Sequence, residues 1–236
     1  MQKLILFDID GTLVHGSKYN VRYWQERVVM SIRETFGVTP VKPDPKIYNG
    51  FVDRNLFWHL ALDAGVTKER FDKLFHKVSK IFHKHTRKHV SQGYSGWVRI
   101  PDAVDLVENI RRTNRTSYGL ITGNIQANGW YKLEVAGIKS LFNFGVFADS
   151  VEDRLELARH AKKNAEIHFS RQFNGKDIIV IGDTKHDIRA GKHIGAFTIA
   201  VLTGLTETRE SLAREEPDLL VDSLMDDRVL ALLGLK

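Results

Sequence analysis

Short runs of apolar residues alternate along the chain with segments in which apolar residues recur every three or four positions. The apolar runs predict strands at 4–8, 117–122, 177–181 and 197–202, with a weaker one at 144–148. The helix-like segments between them cover 103–112, 127–136 and 154–167. Strands that are apolar almost throughout and are separated by helices indicate a parallel sheet covered on both faces. The expected fold class is therefore α/β, with a doubly wound, Rossmann-like parallel sheet.

Residues 15–100 follow a different pattern, in which helical periodicity dominates and no apolar run predicts a convincing strand. The helix-like segments here are 23–36, 56–64 and 71–82, and a proline-rich stretch at 40–45 predicts a loop between the first two. The simplest organisation is an α/β core that is interrupted after its first strand by helices. We therefore expect a core domain at 1–14 and 101–236 and an all-helical cap domain at 15–100.

Composition places the chain among globular proteins and excludes several classes. Of the 236 residues, 42% are hydrophobic, 27% are charged and none is cysteine. Disulfide-stapled domains, cysteine-ligated zinc and a cysteine nucleophile are therefore excluded. The first apolar run stops at Asp8, too early for a signal-peptide core, and no stretch approaches the ~18 apolar residues of a membrane span. We expect a cytoplasmic protein with no membrane partner.

The formal net charge of +6 favours an acidic ligand such as a phosphate ester. Much of this excess lies at 73–89, where lysines, arginine and histidines surround an apolar helical stripe. We interpret this segment as the solvated face of a cap helix. A nucleic-acid surface is the alternative, but the chain has no recognised nucleic-acid-binding module. His85 and His89 are four residues apart, yet two histidines without a nearby carboxylate form only a weak zinc site.

The strongest chemical signal is Asp8-Ile9-Asp10-Gly11-Thr12, directly after the first predicted strand. Two carboxylates at the end of a buried strand are energetically costly unless a cation or a reaction uses them. Gly11 and Thr12 allow the chain to turn sharply just beyond. The alternative is that both aspartates merely cap turns, which the complete pentapeptide disfavours.

Two further motifs follow other predicted strands. Asp183 and Asp187 come after the strand at 177–181, and their carboxylate oxygens are ligands of the kind that Mg²⁺ prefers. Thr122-Gly123-Asn124 follows the strand at 117–122 and offers a hydroxyl and backbone N–H groups near a helix N-terminus, which suits an oxyanion. Since ligands bind at the carboxyl ends of strands in open parallel sheets, we expect the three motifs to meet.

These motifs, in this order, resemble those of the haloacid dehalogenase-like (HAD) hydrolases, in the branch of phosphoglycolate phosphatases and β-phosphoglucomutases. The segment from Asp8 to Leu13 matches the most specific motif of the family. Leu120-Ile121-Thr122-Gly123-Asn124 and Gly182-Asp183 with Asp187 match the others, and the resemblance extends over essentially the whole chain.

The resemblance implies a role for each motif residue. Asp8 is the expected nucleophile, forming an aspartyl-phosphate, and Asp10 the acid that protonates the leaving oxygen and then activates water. Mg²⁺ is the implied cofactor, held by Asp8, the backbone carbonyl of Asp10 and Asp183, with Asp187 as a ligand or beside one. Thr122, Gly123 and Asn124 are expected to hold the phosphoryl oxygens.

One element departs from the family pattern. Members of this branch carry a Lys followed by Pro at the start of the helix before the metal strand, and this chain has none there. Arg154 is our candidate for the missing cation, although arginine and lysine are not freely interchangeable. A surface arginine in the first helical turn is the alternative reading. Lys162, Lys163 and Lys185 are weaker substitutes.

The cap is expected to select the substrate. His15, Tyr19 and Arg54 lie where relatives place cap residues that face the active site, and Arg54 could meet a second anionic group of the substrate. A solvated helix residue is an equally good reading of Arg54. The four tryptophans are interpreted as core or interface residues rather than stacking platforms.

The sequence therefore predicts a Mg²⁺-dependent phosphatase acting on a small phosphate monoester, of phosphoglycolate or sugar-phosphate type. A β-phosphoglucomutase-like phosphotransferase is the alternative on the same fold. A basic nucleic-acid- or protein-binding module on an idle core is the alternative from a different class. Dehalogenation is disfavoured by Asp10, because a departing halide needs no acid. The oligomeric state cannot be read from the sequence.

Overall fold

A parallel sheet of six strands forms the core of the protein. The computed structural model describes residues 3–17, 20–113 and 115–236. Its strands are β1 (Leu4–Phe7), β2 (Val14–Gly16), β3 (Trp97–Arg99), β4 (Ser117–Ile121), β5 (Gly145–Val146), β6 (Ile178–Gly182), β7 (Phe197–Val201) and β8 (Leu219–Val221). Its α-helices are α1 (Asn20–Phe36), α2 (Asp53–Asp63), α3 (Lys68–Ser91), α4 (Pro101–Thr113), α5 (Gln126–Val135), α6 (Arg154–His168), α7 (Lys185–His193), α8 (Arg209–Ala213) and α9 (Asp227–Leu233).

The order of the sheet places β1 at its centre. The strands run β5-β4-β1-β6-β7-β8, and every described pairing between them is parallel. The carboxyl ends of β4, β1 and β6 are therefore neighbours at one edge of the sheet. The predicted α/β fold class, with a doubly wound parallel sheet, is confirmed.

Alternation along β1 shows why the sheet is buried on both faces. Leu4 and Leu6 pack into one apolar cluster with residues of α6, whereas Ile5 and Phe7 pack into another with residues of α4. All four side chains are fully buried. Each contributes roughly 1.5–3 kcal/mol through the apolar surface that it removes from water. A strand so enclosed fixes the position of the residue that follows it.

Helices α1, α2 and α3 form a separate apolar cluster, to which Ile125 of the core also contributes. Helix α3 is longer than the predicted segment 71–82, because its buried face continues beyond the apolar stripe through His85, Thr86 and His89. The lysines and the arginine of 73–89 lie on its exposed face, as expected for a solvated helix surface, whereas His85 and His89 are buried. The structure thus confirms the helical character of the region.

One part of the prediction for 15–100 is wrong. The chain enters and leaves this region through a two-stranded antiparallel ribbon, in which Val14 of β2 pairs with Arg99 of β3. Each of these strands has only three residues, too few for a periodic signal in the sequence. Strand β8 was missed for the same reason. We propose to keep the division into a core at 1–14 and 101–236 and a cap at 15–100, since the ribbon marks both crossings.

Candidate active site

Three buried aspartates gather at the carboxyl edge of the sheet. Asp8 follows β1, Asp183 follows β6, and Asp187 lies in the first turn of α7. One carboxylate oxygen from each lies within 4.8 Å of the other two. All three residues are at most 4% exposed. The sheet topology thus unites carboxylates that are up to 179 residues apart in the chain.

The electrostatics of this cluster are those of a cation site. Burial, reinforced by the charge of Asp187, raises the pKa of Asp8 to about 7. Burial and the charges of Asp187 and Asp8 likewise raise the pKa of Asp183 well above its usual range. A divalent cation would reverse both effects by stabilising the ionised forms. Three converging hard oxygen donors fit Mg²⁺ chemically.

A glycine lets the loop after β1 approach the cluster closely. Gly11 has φ +77°, a left-handed conformation in which a side chain is strained, and a Cβ there would overlap the carboxylate of Asp183. Thr12 donates its hydroxyl to Asp183 Oδ1 over 3.3 Å. Thr203 donates its hydroxyl to the carbonyl of Gly11 over 2.6 Å. The turn that the first motif predicts therefore packs directly on the second carboxylate motif.

Arg154 is the cation at this cluster. Its Nη1 lies 2.8 Å from Asp187 Oδ1 and 3.4 Å from Asp8 Oδ1. Its Nε donates to the carbonyl of Gly50, on the cap side, over 3.2 Å. Although burial lowers the pKa of Arg154, the charges of Asp187 and Asp8 raise it more, so it stays above its ordinary value. The guanidinium is thus placed between the expected nucleophile and the cap.

The position of Arg154 follows from the start of α6. Asp153 is the N-cap residue, and its side chain accepts a hydrogen bond from the backbone N–H of Glu156. Arg154 is therefore the first helical residue, directed to the sheet edge. The weaker candidates for the cation lie elsewhere. Lys185 Nζ is 3.9 Å from Glu207 Oε1, and Lys162 and Lys163 line a separate surface depression.

The second aspartate of the first motif has different partners. Asp10 Oδ2 accepts hydrogen bonds from Asn124 Nδ2 over 2.8 Å and from Lys132 Nζ over 2.5 Å. Burial raises the pKa of Asp10, but the charge and hydrogen bond of Lys132 and the hydrogen bond of Asn124 lower it more, so the net shift is downward. Asp10 is therefore an ionised hydrogen-bond acceptor in this state.

Lys132 was missed in the sequence. It lies two turns into α5, where helical spacing from the third motif gives no signal. The helix nevertheless begins at the sheet edge, and long helical side chains lean toward the N-terminus of their helix. That geometry carries Lys132 Nζ back to Asp10 and to Asn124 Oδ1, which lies 2.5 Å away. The tilt of helical side chains toward the helix N-terminus and the length of the lysine side chain are the only features that could have identified this residue from the sequence.

The residues expected to hold phosphoryl oxygens are brought to the same place. Gly123 and Asn124 line the cavity described below. Thr122 is fully buried beside it, and its hydroxyl oxygen accepts hydrogen bonds from Asn124 Nδ2 over 2.7 Å and Asn124 N over 3.3 Å. Thr122 therefore orients Asn124. Where α5 begins, the backbone N–H of Ile125 donates to Asp53 Oδ2 over 2.8 Å and that of Gln126 donates to Asp149 Oδ2 over 2.7 Å.

A cavity of ≈ 400 Å³ lies between the core and the cap. Its core side includes Asp8, Asp10, Asp183, Lys132 and Arg154. Its cap side is rich in aromatic residues. His15 lines it as expected, and the aromatic wall is made by Trp24, Tyr48, Phe51, Phe82 and Trp97. All four tryptophans belong to or pack on apolar clusters, as expected, and Trp24 and Trp97 also border the cavity.

Arg54 is not placed as the substrate-facing interpretation requires. Its Nη2 lies 2.5 Å from Asp72 Oδ1, and its guanidinium stacks 4.6 Å above the ring of Phe75. It is absent from the lining of the cavity between core and cap. The ion pair and the aromatic ring hold the side chain on α3 instead. Tyr19, the third cap residue considered, lies outside the described residues.

The histidine pair of α3 also has a partner that the sequence did not indicate. His85 Nε2 lies 2.7 Å from Glu34 Oε1 of α1. His89 stacks edge-on against Tyr23. In the described part of the chain, the group of metal-ligating side chains close enough to share an ion is the aspartate cluster. No described helix is both long and apolar enough to cross a membrane.

This fold and site define a class of α/β enzyme with a carboxylate cluster at the sheet edge beneath a helical cap. The chain matches the model of the haloacid dehalogenase-like hydrolases over residues 5–201. A curated relative, pyrophosphatase PpaX from Anoxybacillus flavithermus, is 25% identical over 235 residues, which is 98% of this chain and 96% of the relative.

Solved structures share the fold. A hydrolase from Pseudomonas syringae has a TM-score of 0.64 and 18% identity, covering 99% of this chain and 98% of its own. A β-phosphoglucomutase from Clostridium difficile has a TM-score of 0.68 and 15% identity, covering 99% and 97%. The chain belongs to the haloacid dehalogenase-like hydrolase family. The family, the fold class and the prediction of a hydrolytic enzyme are confirmed.

Proposed function

We propose that this protein is a Mg²⁺-dependent phosphatase that hydrolyses a small phosphate monoester, of phosphoglycolate or sugar-phosphate type, through an aspartyl-phosphate. The observation that carries the proposal is the position of Arg154, within hydrogen-bond distance of both Asp8 and Asp187 at the mouth of a cavity. An idle core would have no reason to retain this buried arrangement of charges. A cytoplasmic location stays a prediction.

Asp8 is the proposed nucleophile. Its carboxylate oxygen attacks phosphorus, the bond from phosphorus to the ester oxygen breaks, and the leaving oxygen takes a proton from Asp10. The result is a free alcohol and an acyl phosphate on Asp8. Water then attacks phosphorus and gives a proton to Asp10, and the bond from phosphorus to Asp8 breaks, which releases phosphate.

Arg154 would neutralise charge during both steps. A carboxylate and a phosphate dianion repel each other, and a planar guanidinium beside Asp8 can bind a phosphoryl oxygen while it holds the nucleophile. The backbone N–H groups of Gly123 and Asn124 would bind further phosphoryl oxygens, the Asn124 group in exchange for its 3.3 Å hydrogen bond to the Thr122 hydroxyl. A fixed set of donors of this kind lowers the barrier because it needs little reorganisation.

Lys132 and Asn124 would set the state of Asp10. They hold its carboxylate ionised in the described state, which suits the proton-accepting step with water. A bound phosphate dianion adds negative charge beside Asp10 and so raises its pKa toward the protonated form that the first step requires. Asp10 thereby serves as acid and base in turn.

The magnesium ion would be held by Asp8, Asp183 and Asp187, with the backbone carbonyl of Asp10. When bound it would supply charge neutralisation between the anionic nucleophile and the anionic substrate. The name of the Anoxybacillus relative, a pyrophosphatase, supports cleavage of a phosphoric ester or anhydride bond.

A panel of phosphorylated metabolites tests the proposal, with phosphate release measured with and without Mg²⁺. We expect Mg²⁺-dependent turnover of at least one member and of 4-nitrophenyl phosphate. Glucose 1-phosphate belongs in the panel, because its conversion to glucose 6-phosphate without phosphate release would instead identify a phosphotransferase. A complete lack of metal-dependent turnover across the panel would refute a phosphatase.

A further inference from the structure

A second buried arginine lines the cavity, on its cap side, and the proposed chemistry does not use it. Arg27 of α1 is 2% exposed and contributes to the lining of the cavity. Its Nη1 donates to the hydroxyl of Ser95 over 2.9 Å. Its Nε is buried without a hydrogen-bond partner among the residues that the structure describes.

The acidic groups near Arg27 are engaged elsewhere. Glu26 pairs with Arg22 over 3.3 Å, and Asp53 Oδ2 accepts the backbone N–H of Ile125 over 2.8 Å. Both act on Arg27 only through space, and burial lowers the pKa of Arg27 to about 10. The third ionisable neighbour, His89, carries no negative charge. The guanidinium therefore keeps a buried donor, Nε, that no described residue accepts, and no described carboxylate forms an ion pair with it.

Two other arginines near the boundary between core and cap, Arg154 and Arg54, are each paired with carboxylates of the protein. Arg154 contacts two carboxylates, and Arg54 pairs with Asp72. A buried cation is destabilising unless an anion accompanies it. Arg27 lines the wall of the cavity, which is the side from which an anion can reach it.

We infer that the substrate carries, besides its phosphate ester, a second anionic group that binds Arg27. A carboxylate or a second phosphate fits the planar guanidinium equally well. The aromatic side chains of Trp24, Phe82 and Trp97 line the same cavity and would contact the carbon body between the two anions. Arg27 is thus a specificity-determining residue, and this inference rests on the proposed phosphatase activity.

Paired substrates test it directly. The probes are carboxyalkyl phosphates with one to five carbons between ester oxygen and carboxylate, each compared with its neutral primary amide. In the wild type we expect kcat/KM for the acid to exceed that for the amide by about 100-fold at the best spacer length. A parallel series of α,ω-alkanediol bisphosphates, with pyrophosphate added as an anhydride, distinguishes a carboxylate from a phosphate as the second anion.

Variants assign the preference to one arginine. In Arg27→Met the ratio of acid to amide should fall to about 1, and Arg27→Lys should restore part of it. Arg54→Met is the matched comparison, because Arg54 is the other cap arginine with a claim to the role, and it should keep the wild-type ratio. Arg27→Gln replaces Arg27→Met if the latter does not fold, and thermal melting of each variant reports folding.

The outcomes separate this inference from the activity beneath it. Hydrolysis of 4-nitrophenyl phosphate by the wild type, lost in Asp8→Asn, establishes the phosphatase. If that holds while every acid-to-amide and bisphosphate ratio stays near 1, the second-anion inference is wrong. It is equally wrong if the preference survives in Arg27→Met and Arg27→Gln, or is lost in Arg54→Met instead. If 4-nitrophenyl phosphate is not hydrolysed, the proposed function fails first.

Discussion

The two walls of the cavity between core and cap are built in opposite ways. On the core wall, Asp8, Asp10, Lys132 and Arg154 contact one another in closed pairs. On the cap wall, aromatic rings line the cavity together with Arg27, whose guanidinium has a hydroxyl rather than a carboxylate as its described partner. The two walls therefore have different roles. On the core wall, ion pairs within the protein hold the reacting groups in position, whereas on the cap wall the unpaired cation is available to bind an anionic group of the ligand.

The largest effect is expected on the core wall, from Asp8→Asn. The amide cannot attack phosphorus, so kcat with 4-nitrophenyl phosphate and Mg²⁺ should fall by about 10⁴-fold or more. Asp222→Asn is the matched control, since the Asp222 side chain is 81% exposed, pairs with Arg209 and does not line the cavity. Activity that persists in Asp8→Asn would remove the covalent mechanism.

Arg154 comes next. Arg154→Ala removes the cation beside Asp8 and should lower kcat/KM by about 10²–10³-fold, whereas Arg154→Lys should retain an intermediate rate. Steady-state kinetics measure the effect, and thermal melting separates it from loss of folding. Similar, wild-type-like rates for both variants would place Arg154 outside the reaction.

Lys132 sharpens the comparison, because its proposed role works through Asp10. In Lys132→Met the pKa of Asp10 should rise, because the cation that lowers it is gone. Asp10 then stays protonated to higher pH and cannot take the proton from water, so the acidic limb of the pH profile of kcat should move upward by about one pH unit. The measurement is kcat for 4-nitrophenyl phosphate as a function of pH, and Lys132→Arg should restore part of the wild-type profile. A loss of kcat with an unchanged pH profile would show that Lys132 is merely structural.

Asp53, between the walls, gives a pH-dependent effect on stability. Burial raises its pKa to about 6, although Lys132 and the Ile125 hydrogen bond oppose this. The folded state therefore binds the proton more tightly than the unfolded state. The free energy of unfolding then falls as pH rises from about 4 through 6.

Asp53→Asn removes the titrating carboxyl, and with it the fall in the free energy of unfolding, but keeps an oxygen that can accept the Ile125 N–H. We expect it to be more stable than the wild type by about 1–3 kcal/mol above pH 6, with the difference vanishing near pH 4. Urea denaturation at intervals from pH 4 to pH 8 measures it. A difference that does not vary with pH would contradict the assignment.

The smallest effect is expected on the outer face of the cap. Lys80 and Lys84 of α3 are exposed, so reversing both to Glu should change stability by only about 0.5 kcal/mol and leave phosphatase activity intact. Nucleic-acid binding is measured at low salt in parallel. Binding that weakens with salt and disappears in the reversed variant would revive the alternative of a nucleic-acid module.

Much of the core wall could be predicted, because the end of an apolar run is visible in the local sequence and also fixes where the next residue lies in the sheet. Asp8, Thr122 and Asp183 each follow an apolar run, and parallel pairing of β4, β1 and β6 brings such ends together whatever the intervening length. Arg154 could be proposed for a different reason, because the family resemblance calls for a cation at the start of the helix before β6 and the usual lysine is missing there.

The sequence by itself determined the α/β class, the helical insertion and the set of acidic groups at the sheet edge, since periodicity and order along the chain suffice for these. The tertiary structure alone decided which arginine of the cap faces the cavity, that Lys132 reaches Asp10, and that a short ribbon joins cap to core. Those outcomes depend on how each helix is rotated and how far a long side chain extends. Such quantities are set by packing between distant segments, and local spacing does not encode them.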